Sequence, residues 1–265
     1  MRKVLIIFYS QTGRLEHILK SFFRDFSDDF VFEFLEIKTH SYAPSLSFNT
    51  FFEPFTDSVL GNTCEITMNT ANFAEYEYVV LGFQPWFLHV SVPFNSFIQS
   101  EYFIQSVQFK KVILIVDCRN TWRKSLEHVA NCVAKCKGKV IGTFIYRDIN
   151  TRNVQGAFSL LKKLKTKSIT QDFSTHSQQI SLIGQQMFDE FINTNFSTTI
   201  QRLHPDSTKE ITSLGYEETI IPTFKKWALF INKKQHGKKR RLFLFKVWIV
   251  IAIIFAAPFV AKKHA

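Results

Sequence analysis

Three short clusters of polar and aromatic residues carry the chemistry that this sequence offers, and each follows an apolar run. Ser10-Gln11-Thr12-Gly13-Arg14 comes directly after Lys3 to Tyr9. Its residue types suit a phosphate. The Ser10 and Thr12 hydroxyls and the free backbone N–H groups of a following helix donate to phosphate oxygens, and Gly13 lets the backbone approach closely. An ordinary strand-to-helix turn has a similar composition, and the position after the first strand is what favours the phosphate. The second cluster is Gly82-Phe83-Gln84-Pro85-Trp86-Phe87, and the third is Asp117-Cys118-Arg119-Asn120-Thr121-Trp122. The third reads equally well as a solvated turn. The cysteines Cys64, Cys118, Cys132 and Cys136 lack the paired short spacings of a zinc ribbon. Cys132 and Cys136, four apart on an expected helix, read as small core or surface residues, so no metal is expected.

The elements that must position these clusters are legible as periodicity. Lys3 to Tyr9 is a buried strand, and Leu15, Ile18, Leu19, Phe22 and Phe23 recur at helical spacing after it. Further strands are expected at Phe30 to Ile37, Tyr78 to Phe83, Lys111 to Val116 and Lys139 to Tyr146, with a helix at Lys124 to Lys135. Strands that are apolar throughout are covered on both faces, which implies a parallel sheet between helices. The fold class expected is α/β, a doubly wound five-stranded parallel sheet with a C-terminal helical extension. In such a sheet ligands collect at the carboxyl ends of the strands, where all three clusters fall. Residues 39–70 are too long for a plain connection and read as a short irregular helix or a lid, with Phe48, Phe51, Phe52 and Phe55 either in the core or in a greasy cover. Amphipathic helices are expected at Val154 to Lys167 and Gln178 to Asn193, and a polar connection over 196–224.

The formal charge of +11 is not spread evenly. Eleven of the 33 basic residues and none of the acidic ones lie in 219–265, so residues 1–218 carry 22 of each sign. A neutral body with a basic, apolar tail argues for an anionic membrane surface and against nucleic acid, which calls for a basic face on the folded domain. Leu242 to Ala261 has Lys246 as its single charge and is long enough as a helix to cross a bilayer; a buried core helix is the competing reading. Eight basic residues precede it and Lys262 and Lys263 follow. The positive-inside rule therefore predicts a single-pass membrane protein with its domain facing the cytoplasm. Trp227 is placed at headgroup level. The domain boundaries expected are 1–195 for the sheet domain, 196–241 for the connection and basic juxtamembrane segment, and 242–261 for the transmembrane helix.

Tyr9-Ser10-Gln11-Thr12-Gly13 after an N-terminal strand resembles the FMN phosphate loop of flavodoxins and flavodoxin-like oxidoreductases, although Leu15 stands where those loops often carry another hydroxyl. The resemblance implies FMN as cofactor, with Ser10, Gln11, Thr12, Gly13 and Arg14 at the phosphate. Gln84-Pro85-Trp86-Phe87 is similar to the flavin-flanking loop of that superfamily, which places Pro85, Trp86 and Phe87 beside the ring; a buried core tryptophan is the alternative for Trp86. Arg119, Asn120 and Trp122 fall at the far edge of the flavin on the same likeness. Together with the C-terminal extension, these elements resemble the flavodoxin-like proteins of dialkylresorcinol, flexirubin and aryl-polyene biosynthesis, often labelled dialkylresorcinol condensing enzymes. The resemblance implies an oxidoreductase that aromatises a cyclohexanone-type polyketide intermediate, a lipid-like substrate delivered by a ketosynthase partner. No cysteine here sits in a ketosynthase setting, which opposes a condensing role in the literal sense. Dehydrogenation needs a hydride acceptor and a base, and His89 is the candidate base, against a plain core or surface histidine. Two other functions stay open, a membrane-anchored electron carrier and a non-catalytic membrane scaffold on the same fold.

Overall fold

The computed structural model describes residues 1–147 apart from 27–28, 43–47, 70 and 119–120, scattered positions between 180 and 192, and residues 200–262 apart from 203–210 and 235. Within the last group, side chains are described for 217–251 apart from 219.

Strands β1 (Arg2–Phe8), β2 (Phe30–Glu36) and β3 (Tyr78–Phe83) alternate with helices, and a short hairpin of β4 (Pro85–Trp86) and β5 (His89–Val90) follows β3. Strands β6 (Lys111–Cys118), β7 (Lys139–Arg147) and β8 (Ile200–Arg202) complete the described strands. The large sheet is parallel throughout, in the order β2-β1-β3-β6-β7-β8. Setting the hairpin aside, the first five of these strands run 2-1-3-4-5, the flavodoxin-like doubly wound order, whose chain reversal lies between β1 and β3. The five expected strands are all present, and β8 is a sixth that the sequence did not announce. At three residues, Ile-Gln-Arg, it is too short to show a period.

Both faces of the sheet are buried, as their uninterrupted apolar runs require. On one face Leu5, Ile7, Leu81, Leu114 and Val116 meet α4 (Val92–Ile98), α5 (Glu101–Val107) and α6 (Arg123–Lys135) through Phe94, Phe97, Phe103, Val129 and Val133. On the other, Val4, Ile6, Phe8, Val80 and Ile113 meet Leu15, Ile18, Leu19 and Phe22 of α1 (Arg14–Phe22). The described positions between 180 and 192 are helical and lie on this second face. Phe188 there is fully buried among Phe23, Phe26, Phe30 and Phe32. A Cβ on Gly184 would stand 2.2 Å from the Phe22 carbonyl oxygen, so only glycine permits this approach. The helix expected at Val154 to Lys167 falls outside the described residues.

The segment read as an irregular helix or a lid forms two short helices, α2 (Phe48–Phe52) and α3 (Phe55–Leu60). Phe52, Phe55 and Val59 form a separate cluster with Ala228, Ile231 and Phe245 of two C-terminal helices, α7 (Ile211–Asn232) and α8 (Lys238–Lys262). Helix α7 corrects the expected polar connection over 196–224. Its first half, Ile-Thr-Ser-Leu-Gly-Tyr-Glu-Glu-Thr-Ile-Ile, mixes polar and apolar residues, and Pro222 at its middle argues against a continuous helix in sequence, so the helical period is hidden.

The tail also departs from a simple anchor. Helix α8 starts at Lys238, inside the basic run, and Phe245 is fully buried, stacked on Phe55 with ring centroids 3.9 Å apart. Trp227, expected at headgroup level, packs against Phe245 and Trp248. Among the described residues no helix is long and apolar enough to cross a membrane. The described side chains of α8 end at Ile251, inside the apolar run that the sequence continues to Ala261. The outer faces of α7 and α8 expose Leu229, Phe230, Phe243, Leu244, Val247 and Ile251.

Candidate functional site

The carboxyl ends of β1, β3 and β6 bring the three clusters to one edge of the sheet, at the reversal between β1 and β3. The first cluster turns sharply into α1. Gly13 takes a left-handed φ of 76° as the residue before the helix, and a Cβ there would meet nothing within 4 Å. Ser10 lends its hydroxyl to the start of α1, accepting from the Glu16 backbone N–H at 3.3 Å. The backbone N–H groups of Thr12 and Gly13 meet no acceptor among the described residues. Oriented amides, a positive helix end and open space over a glycine form an anion cradle. Gln11 is buried and Thr12 half-buried beside it.

Arg14 has another engagement. Its guanidinium lies 3.0 Å from the buried carboxylate of Asp117 and over the ring of Tyr146, and Gln84 Nε2 donates to the same carboxylate at 2.7 Å. Arg14 thus ties the first loop to the third, and Gln84 ties in the second. Arg14, expected at the phosphate, here neutralises a carboxylate that would otherwise oppose an anion at the loop.

The second cluster is the β4–β5 hairpin. Pro85 pairs with Val90 and Trp86 with His89. Phe87 and Leu88 at the turn have φ of 49° and 73°, the mirror-image turn that suits strand twist but strains non-glycine residues. What holds them is packing. Leu88 is buried, and the Phe87 ring touches Phe51, Phe52 and Phe55. Ser58 of α3 donates to the Trp86 carbonyl at 2.7 Å. Phe87, expected beside a flavin ring, therefore turns into the aromatic cluster of α2 and α3. Trp86 stays half-buried, its ring edge-to-face with Tyr9 at 5.9 Å and Tyr42 at 5.5 Å. Burial pushes the Tyr9 and Tyr42 phenols up, so both hydroxyls stay protonated and available as donors.

His89 is half-buried, and burial, with His128 and Lys225 adding to it, pushes its imidazole pKa down. It is therefore neutral at neutral pH, the form a general base needs.

The third cluster splits. Asp117 and Cys118 end β6 in the buried core, and Arg119 and Asn120 lie outside the described residues. Trp122, expected at the flavin edge, is 5% exposed at the N-cap of α6 and packs in the sheet-face core. The participants that sequence reasoning passed over are Tyr9, Tyr42, Gln84, Asp117 and Ser58. Gln84 and Asp117 sat inside the clusters already marked, so a strand-end carboxylate beside an arginine-bearing loop was the available signal. Tyr42 and Ser58 carried no signal of their own. Among the described residues no group of His, Cys, Asp or Glu could hold a metal ion.

No protein-family model matches the sequence. No curated protein matches it either. Similar solved structures include a flavoprotein in complex with FMN from Lactobacillus acidophilus, 18% identical over 56% of this chain and 94% of its own, with a TM-score of 0.45. Oxidised flavodoxin 1 from Bacillus cereus is 13% identical over 64% of this chain and 99% of its own, at 0.34. An azoreductase from Bacillus anthracis is 12% identical over 70% of this chain and all of its own, at 0.38. The fold assignment rests on the strand order and not on these matches.

Proposed function

We propose that this chain is an FMN-dependent oxidoreductase. The observation that carries the reading is the open cradle at the end of β1: a left-handed Gly13 with free space above it, two amides without an acceptor among the described residues, and the N-terminus of α1, all at the β1/β3 reversal where this fold class places its ligands. A phosphate fits there. Thr12 and Ser10 add hydroxyls, and the Arg14–Asp117 pair keeps the site free of net negative charge. Trp86, braced by Tyr9 and Tyr42, is the aromatic surface nearest to hand for the ring.

FMN, when bound, supplies a ring that accepts hydride. The chain's own residues do the rest. The cradle binds the phosphate, Trp86 and its two tyrosines exclude water from one side, and neutral His89 is the group able to take a proton from carbon next to a carbonyl. The finer reading is that the substrate is a cyclohexanone-type polyketide intermediate supplied by a ketosynthase partner and aromatised to a dialkylresorcinol. The motif likeness and an apolar, basic C-terminal unit suited to lipid-like substrates support it. We place the protein at the cytoplasmic face of the bacterial inner membrane, held by residues 242–261 and the basic flank, because the exposed apolar face of α7 and α8 adjoins the basic run 233–241.

The test is the visible absorbance of the full-length protein before and after FMN reconstitution, with a Thr12→Ala/Gly13→Val variant beside it. A flavin spectrum in the wild type that is lost in the variant supports the reading. A protein that stays colourless with added FMN refutes it.

A further inference from the structure

Glu217 lies in α7, and its carboxylate is buried at the N-terminus of α6. Oε1 accepts from the backbone N–H groups of Trp122 at 2.9 Å and Arg123 at 3.3 Å, and Oε2 accepts from that of Lys124 at 3.1 Å. A helix start is normally capped by a Ser, Thr, Asp or Asn a residue or two before it. Here the N-cap residue is Trp122, with no side-chain capping bond, and the acceptor comes from a residue 95 positions further along the chain. The first turn of α6 is therefore completed only when α7 is in place.

That turn bears directly on the cofactor edge, since α6 begins where the third cluster ends. Its counterpart, the β4–β5 hairpin, is held by the same C-terminal unit. Phe87 packs on Phe55, and Phe55 packs on Phe224 of α7 and Phe245 of α8. Two of the three loops at this edge thus depend on residues beyond 210, directly at the start of α6 and through Phe55 at the hairpin. We propose that Glu217 is a positioning residue of the cofactor site, which holds the third loop in register and makes the ring side of the site depend on docking of the α7–α8 unit. This inference rests on the reading that the edge holds FMN.

The consequence is an asymmetry between the two ends of the site. Loss of the Glu217 carboxylate releases the three oriented N–H groups of 122–124, whereas the Gly13 turn and the Ser10–Glu16 contact of the first loop do not involve it. Glu217→Gln preserves shape, but its amide oxygen replaces only one of the two acceptors and its NH2 opposes the third donor. Glu217→Ala removes both.

The experiment compares full-length wild type, Glu217→Gln and Glu217→Ala in the same detergent, by amide hydrogen exchange and by FMN titration. The expected result is exchange at 122–124 at least tenfold faster in Glu217→Ala and intermediate in Glu217→Gln, with β1 and β3 unchanged and FMN bound at least tenfold more weakly. Unchanged exchange at 122–124 overturns the proposal. So does acceleration spread equally over β1 and β3, which would make Glu217 a general stability residue, and so does a loosened loop with unaltered FMN affinity. A wild type that takes up no FMN removes the cofactor reading and the positioning role with it, while the exchange pattern still decides whether Glu217 holds the loop.

Discussion

Replacing Arg14 with alanine separates a structural arginine from a phosphate ligand. In the fold its guanidinium is 12% exposed and stands 3.0 Å from a carboxylate that is 4% exposed. At an effective dielectric of about 20 the attraction across that distance is on the order of 5 kcal/mol, and the cost of burying both charges offsets much of it. Breaking such a pair is a different quantity from its net worth. Arg14→Ala leaves a buried carboxylate without its cation, a change that costs about 3–5 kcal/mol. Gln84 stays within 2.7 Å of Asp117 and cushions the loss, so the lower end, about 3 kcal/mol, is expected. Removing the carboxylate as well abolishes the burial penalty, so Arg14→Ala/Asp117→Ala should be less damaging than the sum of the single changes by about 2 kcal/mol. Urea unfolding of the full-length protein in detergent, followed by far-ultraviolet circular dichroism with slopes compared across the set, measures each value. An Arg14→Ala cost below about 1 kcal/mol, or strict additivity in the double variant, would refute the pairing and return Arg14 to the phosphate; FMN affinity, not stability, would then carry the loss.

Two further outcomes follow from the described geometry. Because the His89 pKa is lowered in the fold, the unfolded chain binds the extra proton first, so stability is full above the ordinary histidine value of about 6.5 and falls as pH drops below it. Unfolding midpoints between pH 5 and 8 should show this slope, reduced in His89→Gln; an unchanged slope counts against a buried neutral imidazole. Gly184→Ala puts a methyl 2.2 Å from the Phe22 carbonyl and should destabilise by about 2 kcal/mol or more in thermal or urea unfolding, whereas Gly13→Ala should cost less, from its backbone φ alone.

The sheet was readable because its strands are buried on both faces, and a continuous apolar run such as Lys111 to Val116 needs no partner to be recognised. The turn over Ser10 to Gly13 was readable for a similar reason, since its residues are local to the strand-to-helix junction they form. What stayed hidden was long-range. Nothing in Arg14 says that Asp117 will claim it, and nothing in Trp122 distinguishes a cap position in the core from a ring contact. The C-terminal unit was read as connection and anchor because its helices are fixed by contacts with Phe52 and Phe55, almost the length of the chain away. Charge distribution singled out this unit as basic, but the apolar residues exposed on α7 and α8 could not be assigned to a face from sequence.

The aromatic cluster imposes an order on synthesis. Phe52, Phe55 and Val59 leave the ribosome well before the residues that cover them, Ala228, Ile231 and Phe245. About 190 residues separate Phe55 from Phe245, which at typical translation rates of roughly 5–20 residues per second is about 10–40 s. For that interval the nascent chain carries Phe52, Phe55 and Val59 without the C-terminal residues that cover them in the fold. The expected outcome is that nascent chains halted before residue 228 are captured by chaperones that bind apolar patches more than the 265-residue chain is, read by pull-down of stalled ribosomes.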